Sequence, residues 1–344
     1  MHTRLTRSLT AQVPGSTPGP FDSEGVSGSQ RTRPCVLRLS VTERCNFRCR
    51  YCVPPGGARR ERLRTLSDEE LVDLVAWLHG GLSFRKIKIT GGEPLVMASV
   101  AALVARVREA TGIRDISMTT NGSRLGALAA SLRDAGLTRV NVSLDTLDPE
   151  GFLQLTGGRL AEALAGIEAA AAAGLLPVKL NAVLRRRSWQ TDVPSLIDHA
   201  AAGGHEIRFI ELMHTGTAAR WAMGEFVGVS EVQAWLASRA EVRLLPRPRG
   251  TPARPSFVRW GGRDAAVGWI SPRSSPFCGD CDRLRLDSFG RLRRCLMDPL
   301  RLPLPDLRRE VGDAGAWERT RDYLSEKRPP GAMSIESPMA AIGG

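Results

Sequence analysis

Within Cys45-Asn46-Phe47-Arg48-Cys49-Arg50-Tyr51-Cys52, three cysteines stand at Cys-x3-Cys-x2-Cys spacing, directly after a short β-like run, Val36 to Val41. Three thiolates this close can hold a metal, but a structural zinc site takes four protein ligands and no histidine lies nearby to complete one. An iron-sulfur cluster is the natural occupant, because thiolate sulfurs are its standard ligands and three of them leave one iron open to another molecule. A disulfide with a spare thiol, or a degenerate zinc site, are the competing readings.

Cys278, Cys281 and Cys295 form a second group, again of three thiols. A zinc site completed by the distant His205 or His214 competes here. Two incomplete thiolate sites in one chain are a far more specific signal than either alone. Between these cysteines, Asp282-Arg283-Leu284-Arg285-Leu286 puts two guanidiniums on one side of an extended run. Arginine binds phosphate and purine edges through paired donors, although such a run is also compatible with a solvated charged strand. Gly91-Gly92-Glu93-Pro94 follows a strand ending at Thr90; paired glycines let a backbone pass close to a ligand, and the carboxylate can accept from an ammonium group. On its own, the terminal Gly343-Gly344 reads as a frayed end.

The elements that must carry these groups alternate as βα units, the sign of a parallel sheet. A helix starts at the capping box Ser67/Glu70, buries Leu71, Leu74, Val75 and Leu78, and stops at Gly80-Gly81, with His79 as a favourable charge in its last turn. Further helices are predicted over Met97 to Ala110, Leu125 to Ala135, Leu160 to Ala173 and Val193 to Ala202. Strands are predicted over Lys86 to Thr90, Asp115 to Thr119, Arg139 to Leu144, Val178 to Leu184 and Glu206 to Glu211.

Parallel strands covered by helices normally read as continuous apolar runs. Here they alternate with a two-residue period: Arg38 and Ser40 against Leu37 and Leu39, Lys88 against Ile87 and Ile89, Ser117 and Thr119 against Ile116 and Met118. Asn141 and Ser143, Lys179 and Asn181, and Arg208 continue the pattern. If the apolar face packs on helices, the polar faces converge on a wet, cationic interior. A closed eight-stranded barrel fills its middle with branched side chains, so the expectation is α/β, an open partial (β/α)6 TIM-type barrel around a ligand.

The chain of 344 residues is 42% hydrophobic and 24% charged, an ordinary soluble balance, and has no apolar run near the ~20 residues of a membrane span. A cytoplasmic location is expected. Its net charge of +12 favours anionic partners. With aromatics at 5% and no basic, aromatic-interleaved stretch, nucleic acid is disfavoured against a nucleotide. Cys35 reads as a small buried apolar residue. Residues 1–34 lack hydrophobic periodicity and are expected to be a disordered tail, with a barrel over 35–224 and a C-terminal domain over 225–344.

Arg38-Leu39-Ser40 followed by Cys45, Cys49 and Cys52, with an aromatic before the last cysteine, resembles the radical S-adenosylmethionine (radical SAM) enzymes. The longer run Leu37 to Cys49 is most similar to the GTP 3',8-cyclases of molybdenum cofactor biosynthesis, a resemblance running from about Arg33 to Gly344. It implies two 4Fe-4S clusters, one on each cysteine group, and a C-terminal extension that closes the barrel mouth. Tyr51, Gly92, Ser143 and Met213 match positions that contact S-adenosylmethionine. Arg38, Thr119, Lys179, Arg283 and Arg285 match positions that contact GTP, with Lys88 standing where the family usually has arginine. Arg208 matches a further active-site arginine, and Gly343 and Gly344 match glycines that reach the active site. The resemblance also implies cyclisation of GTP by radical chemistry, an electron donor such as flavodoxin or ferredoxin, hand-over to cyclic pyranopterin monophosphate synthase, and a homodimer. A two-cluster paralogue acting on another nucleotide or a peptide is the alternative.

Overall fold

The computed structural model describes residues 35–52, 64–213 and 219–327. Six parallel strands come first: β1 (Val36–Ser40), β2 (Lys86–Thr90), β3 (Asp115–Thr120), β4 (Arg139–Ser143), β5 (Lys179–Leu184) and β6 (Glu206–Glu211). They are joined by α1 (Asp68–Leu82), α2 (Val100–Thr111), α3 (Leu125–Asp134), α4 (Pro149–Thr156), α5 (Leu160–Ala172) and α6 (Trp189–Ala202). The predicted βα rhythm is therefore present, with α4 as an added helix. It is short, and is started by Asp148, whose carboxylate accepts from the backbone N–H groups of Glu150 and Gly151.

Alternation along the strands decides which face meets the helices. Leu37, Leu39, Ile87, Ile89, Ile116, Met118, Val140, Val142, Leu180, Ile207 and Phe209 are all at most 1% exposed and belong to one core with the apolar faces of the helices. Each such side chain contributes about 1.5–3 kcal/mol by leaving water. The other face of the strands carries Arg38, Lys88, Ser117, Thr119, Asn141, Ser143, Lys179, Asn181 and Arg208.

The C-terminal residues join the barrel wall itself. After α7 (Ala219–Glu225) and α8 (Val229–Ala237) come β7 (Glu241–Leu244), β8 (Arg254–Trp260), β9 (Arg263–Ile270), β10 (Arg283–Leu286), β11 (Arg291–Arg293), β12 (Leu302–Pro303) and α9 (Leu304–Ser325). β9 pairs in parallel with β6, and β10 in parallel with β1. The sheet order is β12-β11-β10-β1-β2-β3-β4-β5-β6-β9-β8-β7, so the barrel stays open between β9 and β10.

Two details of α1 depart from the sequence reading. The capping box forms as expected, but the helix continues through Gly80-Gly81 and ends at Ser83, whose φ is +50°. Gly81 is required by packing instead, because a Cβ there would lie 2.1 Å from the ring of Trp317 on α9. Burial lowers the pKa of His79, which weakens its expected part as a helix-end cation, and its ring packs edge-on against Phe84 at 5.0 Å. No described helix is long and apolar enough to cross a membrane.

Candidate active site

The first cysteine loop leaves the C-terminal end of β1 and is pinned on several sides. The Gly92 and Glu93 N–H groups donate to the carbonyls of Thr42 (2.6 Å) and Arg44 (2.8 Å). A Cβ at Gly92 would sit 2.4 Å from the Arg44 oxygen, so the paired glycines admit this loop's own backbone. Opposite, Arg48 N–H donates to Thr156 (2.7 Å) and Arg50 N–H to Leu155 (3.0 Å), on the last turn of α4. Phe47 seats its ring over Gly158 and edge-on to Phe152. Gly92→Ala is expected to cost about 1–3 kcal/mol by forcing these backbones apart. A lower melting temperature together with reduced iron at the first site would show it.

Burial pushes the Cys45 and Cys49 thiols up, and for Cys49 the neighbouring Cys52 adds to the effect. Ionised thiolates here need a positive partner, which a bound iron cluster supplies. Among the described residues, no three His, Cys, Asp or Glu side chains gather tightly enough for a single metal ion. A four-iron cluster spreads its thiolates over its own corners, and so suits a looser triplet.

The Glu93 carboxylate also has a structural role within the chain. It is 1% exposed and accepts from Thr120 Oγ1 (2.7 Å), Asn121 N–H (2.6 Å) and Leu95 N–H (3.0 Å), bracing the glycine turn against the end of β3. Tyr51 OH donates to Asp145 Oδ2 (2.7 Å), and Val183 N–H to Asp145 Oδ1 (2.7 Å). Asp145 is a buried tie between the cysteine loop and β5 that sequence reasoning missed, although it lies just beyond Ser143 at the end of a polar strand face. Ser143 pairs in register with Asn181, and Met213 is half-buried just beyond β6. Buried Ser40 Oγ and Asn181 Oδ1, both on the inner face, have no hydrogen-bond partner among the described residues, which marks places for a ligand.

Strand register brings the predicted cations together. Arg38 stands opposite Lys88 on one side and Arg285 on the other, Asn141 opposite Thr119 and Lys179, and Asn181 opposite Arg208. Burial first, and Arg283 second, lower Arg38 to about 10 even though Cys281 opposes them. Burial also drives Lys88 well below the ordinary lysine value, with Arg38, Arg208, Arg139 and Lys179 adding repulsion. Lys88 Nζ has no hydrogen bond or ion pair among the described residues. Glu206 was missed from sequence. It accepts from Lys179 Nζ (2.6 Å) and Arg208 Nε (2.5 Å), and without Gly268 beneath it the Arg208 side chain would be crowded. Lys179 is nevertheless lowered by burial and by Arg208. Gathering cations away from water is unfavourable unless an anion arrives, and a polyphosphate meets that need through charge-assisted bonds.

The second cysteine group lies at the other end. A short 3-10 turn, Cys278–Asp280, leads to Cys281 and β10, whose first residue Arg283 pairs with Val36 at the start of β1. The first cysteine group follows the ends of the same strands, so the cations lie between the two groups. Arg247 grips Asp280 with two bonds of 3.0 Å, and Arg283 stacks on Phe277 with its guanidinium 5.0 Å from the ring centre. Burial pushes Cys278 up, with Cys295 and Cys281 adding to it. Burial would raise Cys281 too, but Arg283 and Lys327 outweigh it, and the thiol is lowered. His205 is not a neighbour of these thiols: it sits at the turn before β6, lowered by burial and by His199. Cys35 accepts from the Arg85 guanidinium at 3.4 Å. His214, Gly343 and Gly344 lie outside the described residues.

Residues 39–190 match the Radical SAM superfamily, and residues 205–331 match Molybdenum Cofactor Synthesis C. A GTP 3',8-cyclase of Acidothermus cellulolyticus is 39% identical over 312 residues, 85% of each chain. GTP 3',8-cyclase 1 of Pseudomonas aeruginosa is 44% identical over 262 residues, 76% of this chain and 79% of that one. Among solved structures, Streptococcus suis SuiB bound to precursor peptide SuiA superposes with a TM-score of 0.55 at 16% identity, covering 77% of this chain and 60% of that one, a likeness of fold. With a radical SAM barrel, a molybdenum cofactor synthesis C region and relatives of this identity over most of its length, the chain belongs to the GTP 3',8-cyclase family of radical SAM enzymes.

Proposed function

We propose that the chain converts GTP to (8S)-3',8-cyclo-7,8-dihydroguanosine 5'-triphosphate, a carbon–carbon bond-forming lyase reaction at the first step of molybdenum cofactor biosynthesis. The observation that carries this reading is Lys88, a desolvated cation set among Arg38, Arg139, Lys179 and Arg208 between two cysteine triplets. Cys45, Cys49 and Cys52 would hold a 4Fe-4S cluster that would supply the electron for radical formation from S-adenosylmethionine, and Cys278, Cys281 and Cys295 would hold a second that would supply Lewis-acid binding of the purine.

The chain's own residues do the positioning. Arg38, Lys88, Thr119, Lys179, Arg283 and Arg285 hold GTP so that C3' faces the end of the barrel that carries Cys45, and Tyr51, Gly92, Ser143 and Met213 seat S-adenosylmethionine there. Arg208, tethered by Glu206, completes the cavity wall. As the triphosphate enters, the anion offsets the repulsion that lowers the Lys88 pKa, so Nζ holds its proton more firmly in the complex. Gly343 and Gly344 belong to the same reading as residues that reach the radical step. An electron donor such as flavodoxin or ferredoxin, a homodimer, and delivery to cyclic pyranopterin monophosphate synthase complete it, with the barrel at 35–224 and the C-terminal domain at 225–344.

Anaerobic protein incubated with dithionite, S-adenosylmethionine and a panel of nucleoside triphosphates tests the proposal by mass spectrometry. GTP alone of the panel should be consumed, in step with 5'-deoxyadenosine. Release of 5'-deoxyadenosine while GTP stays intact would instead favour the paralogue that acts on another nucleotide or a peptide.

A further inference from the structure

We infer that Lys327 is the fixed counter-charge of the second iron-sulfur centre and holds its reduction potential up. It is a positioning residue that acts on nucleotide chemistry through the cluster, and the inference rests on the reading of Cys278, Cys281 and Cys295 as cluster ligands. Lys327 Nζ donates to the carbonyls of Cys281 (2.9 Å) and Arg283 (2.8 Å), and lies 3.7 Å from Cys281 Sγ. Two carbonyl acceptors fix the ammonium where a surface lysine would wander, and they aim its remaining charge at the thiol.

The helix that delivers it is clamped to the other arm of the same site. Arg294, next to Cys295, donates from Nη1 to the Tyr323 carbonyl (2.7 Å) and stacks on the Tyr323 ring at 4.5 Å. Tyr323 OH donates to the Leu300 carbonyl (3.0 Å). The end of α9 therefore reaches both arms of the site, Cys281 just before β10 through Lys327 and the neighbour of Cys295 just after β11 through Tyr323. Hydrogen bonds and charge near the cluster sulfurs are among the terms that set such potentials. A more electron-poor cluster is also a better Lewis acid toward a purine nitrogen.

The test isolates this centre. Full-length protein with Cys45, Cys49 and Cys52 all changed to Ala keeps only the second site and is loaded anaerobically with iron and sulfide. Its reduced-cluster EPR signal is then titrated against potential. Lys327→Met should move the midpoint downward, and Lys327→Arg should leave it near the parent. Should Met lose iron while Arg retains it, the charge is needed even to hold the cluster, which also supports the inference. An unchanged midpoint in Lys327→Met, or equal shifts or equal iron loss in both variants, would overturn it. Failure of the parent itself to bind iron at this site would sink the underlying two-cluster reading, an outcome distinct from all of these.

Discussion

Cys49→Ala is expected to remove about four of the roughly eight irons the loaded protein should hold, and to abolish 5'-deoxyadenosine formation. The loss should be complete, since a three-thiolate site has no spare ligand and Cys49 sits in the middle of the loop. The same variant should still bind GTP, because the cation group lies nearer the opposite end of the strands, with Arg38 and Arg285 within electrostatic reach of Cys281. Cys281→Ala provides the contrast. It should lose the other four irons or so, retain S-adenosylmethionine cleavage, and release 5'-deoxyadenosine without consuming GTP. Iron analysis, product chromatography and equilibrium GTP binding on the two variants decide the matter. If Cys281→Ala also stopped S-adenosylmethionine cleavage, the division of labour between the two ends would be wrong.

Much of this arrangement was legible because the physical causes are local. The two-residue alternation put leucines and isoleucines on one face of each strand, and the helices cover that face, so Arg38, Lys88, Thr119, Lys179 and Arg208 fall inside. Glu206 escaped notice because a carboxylate at the start of a strand reads as solvated. Only register, which sets it against Lys179, shows it holding two site cations. Lys327 lies beyond α9, far along the chain from Cys281, and periodicity carries no sign of such a contact. The bracing role of Glu93 was hidden for a related reason. Its chemistry suits an ammonium group, and only tertiary structure shows that it also accepts three bonds from the chain's own N–H and hydroxyl donors. Gly81 was read as a helix stop when the packing of Trp317, more than 200 residues away, is what excludes a side chain there.

Lys88→Met is expected to weaken GTP binding and strengthen the empty protein at once. A charge-assisted contact to phosphate is worth about 1.5–3 kcal/mol, so KM for GTP should rise by about tenfold to a hundredfold, with a smaller change in kcat. Without GTP, desolvation and the neighbouring cations disfavour the protonated form of Lys88, and an uncharged side chain of similar length escapes both costs, so the melting temperature should rise. The pH dependence fixes the sign. Lys88 is depressed in the folded state, so between that value and the ordinary ~10.4 the unfolded chain binds more protons, and stability climbs with pH through this window. The advantage of Lys88→Met over the parent should therefore shrink as pH rises through the window. Affinity runs the other way: the triphosphate must recharge Nζ, so GTP binding takes up a proton and weakens as pH passes the depressed value. Calorimetry in two buffers of different ionisation enthalpy should show that uptake in the parent and lose it in Lys88→Met. Lys88→Arg separates charge from proton linkage, since a guanidinium stays ionised where an ammonium does not, and its GTP affinity should stay flat over the same pH range. A parent without proton uptake at a given pH would mean that Lys88 is already charged in the empty cavity at that pH.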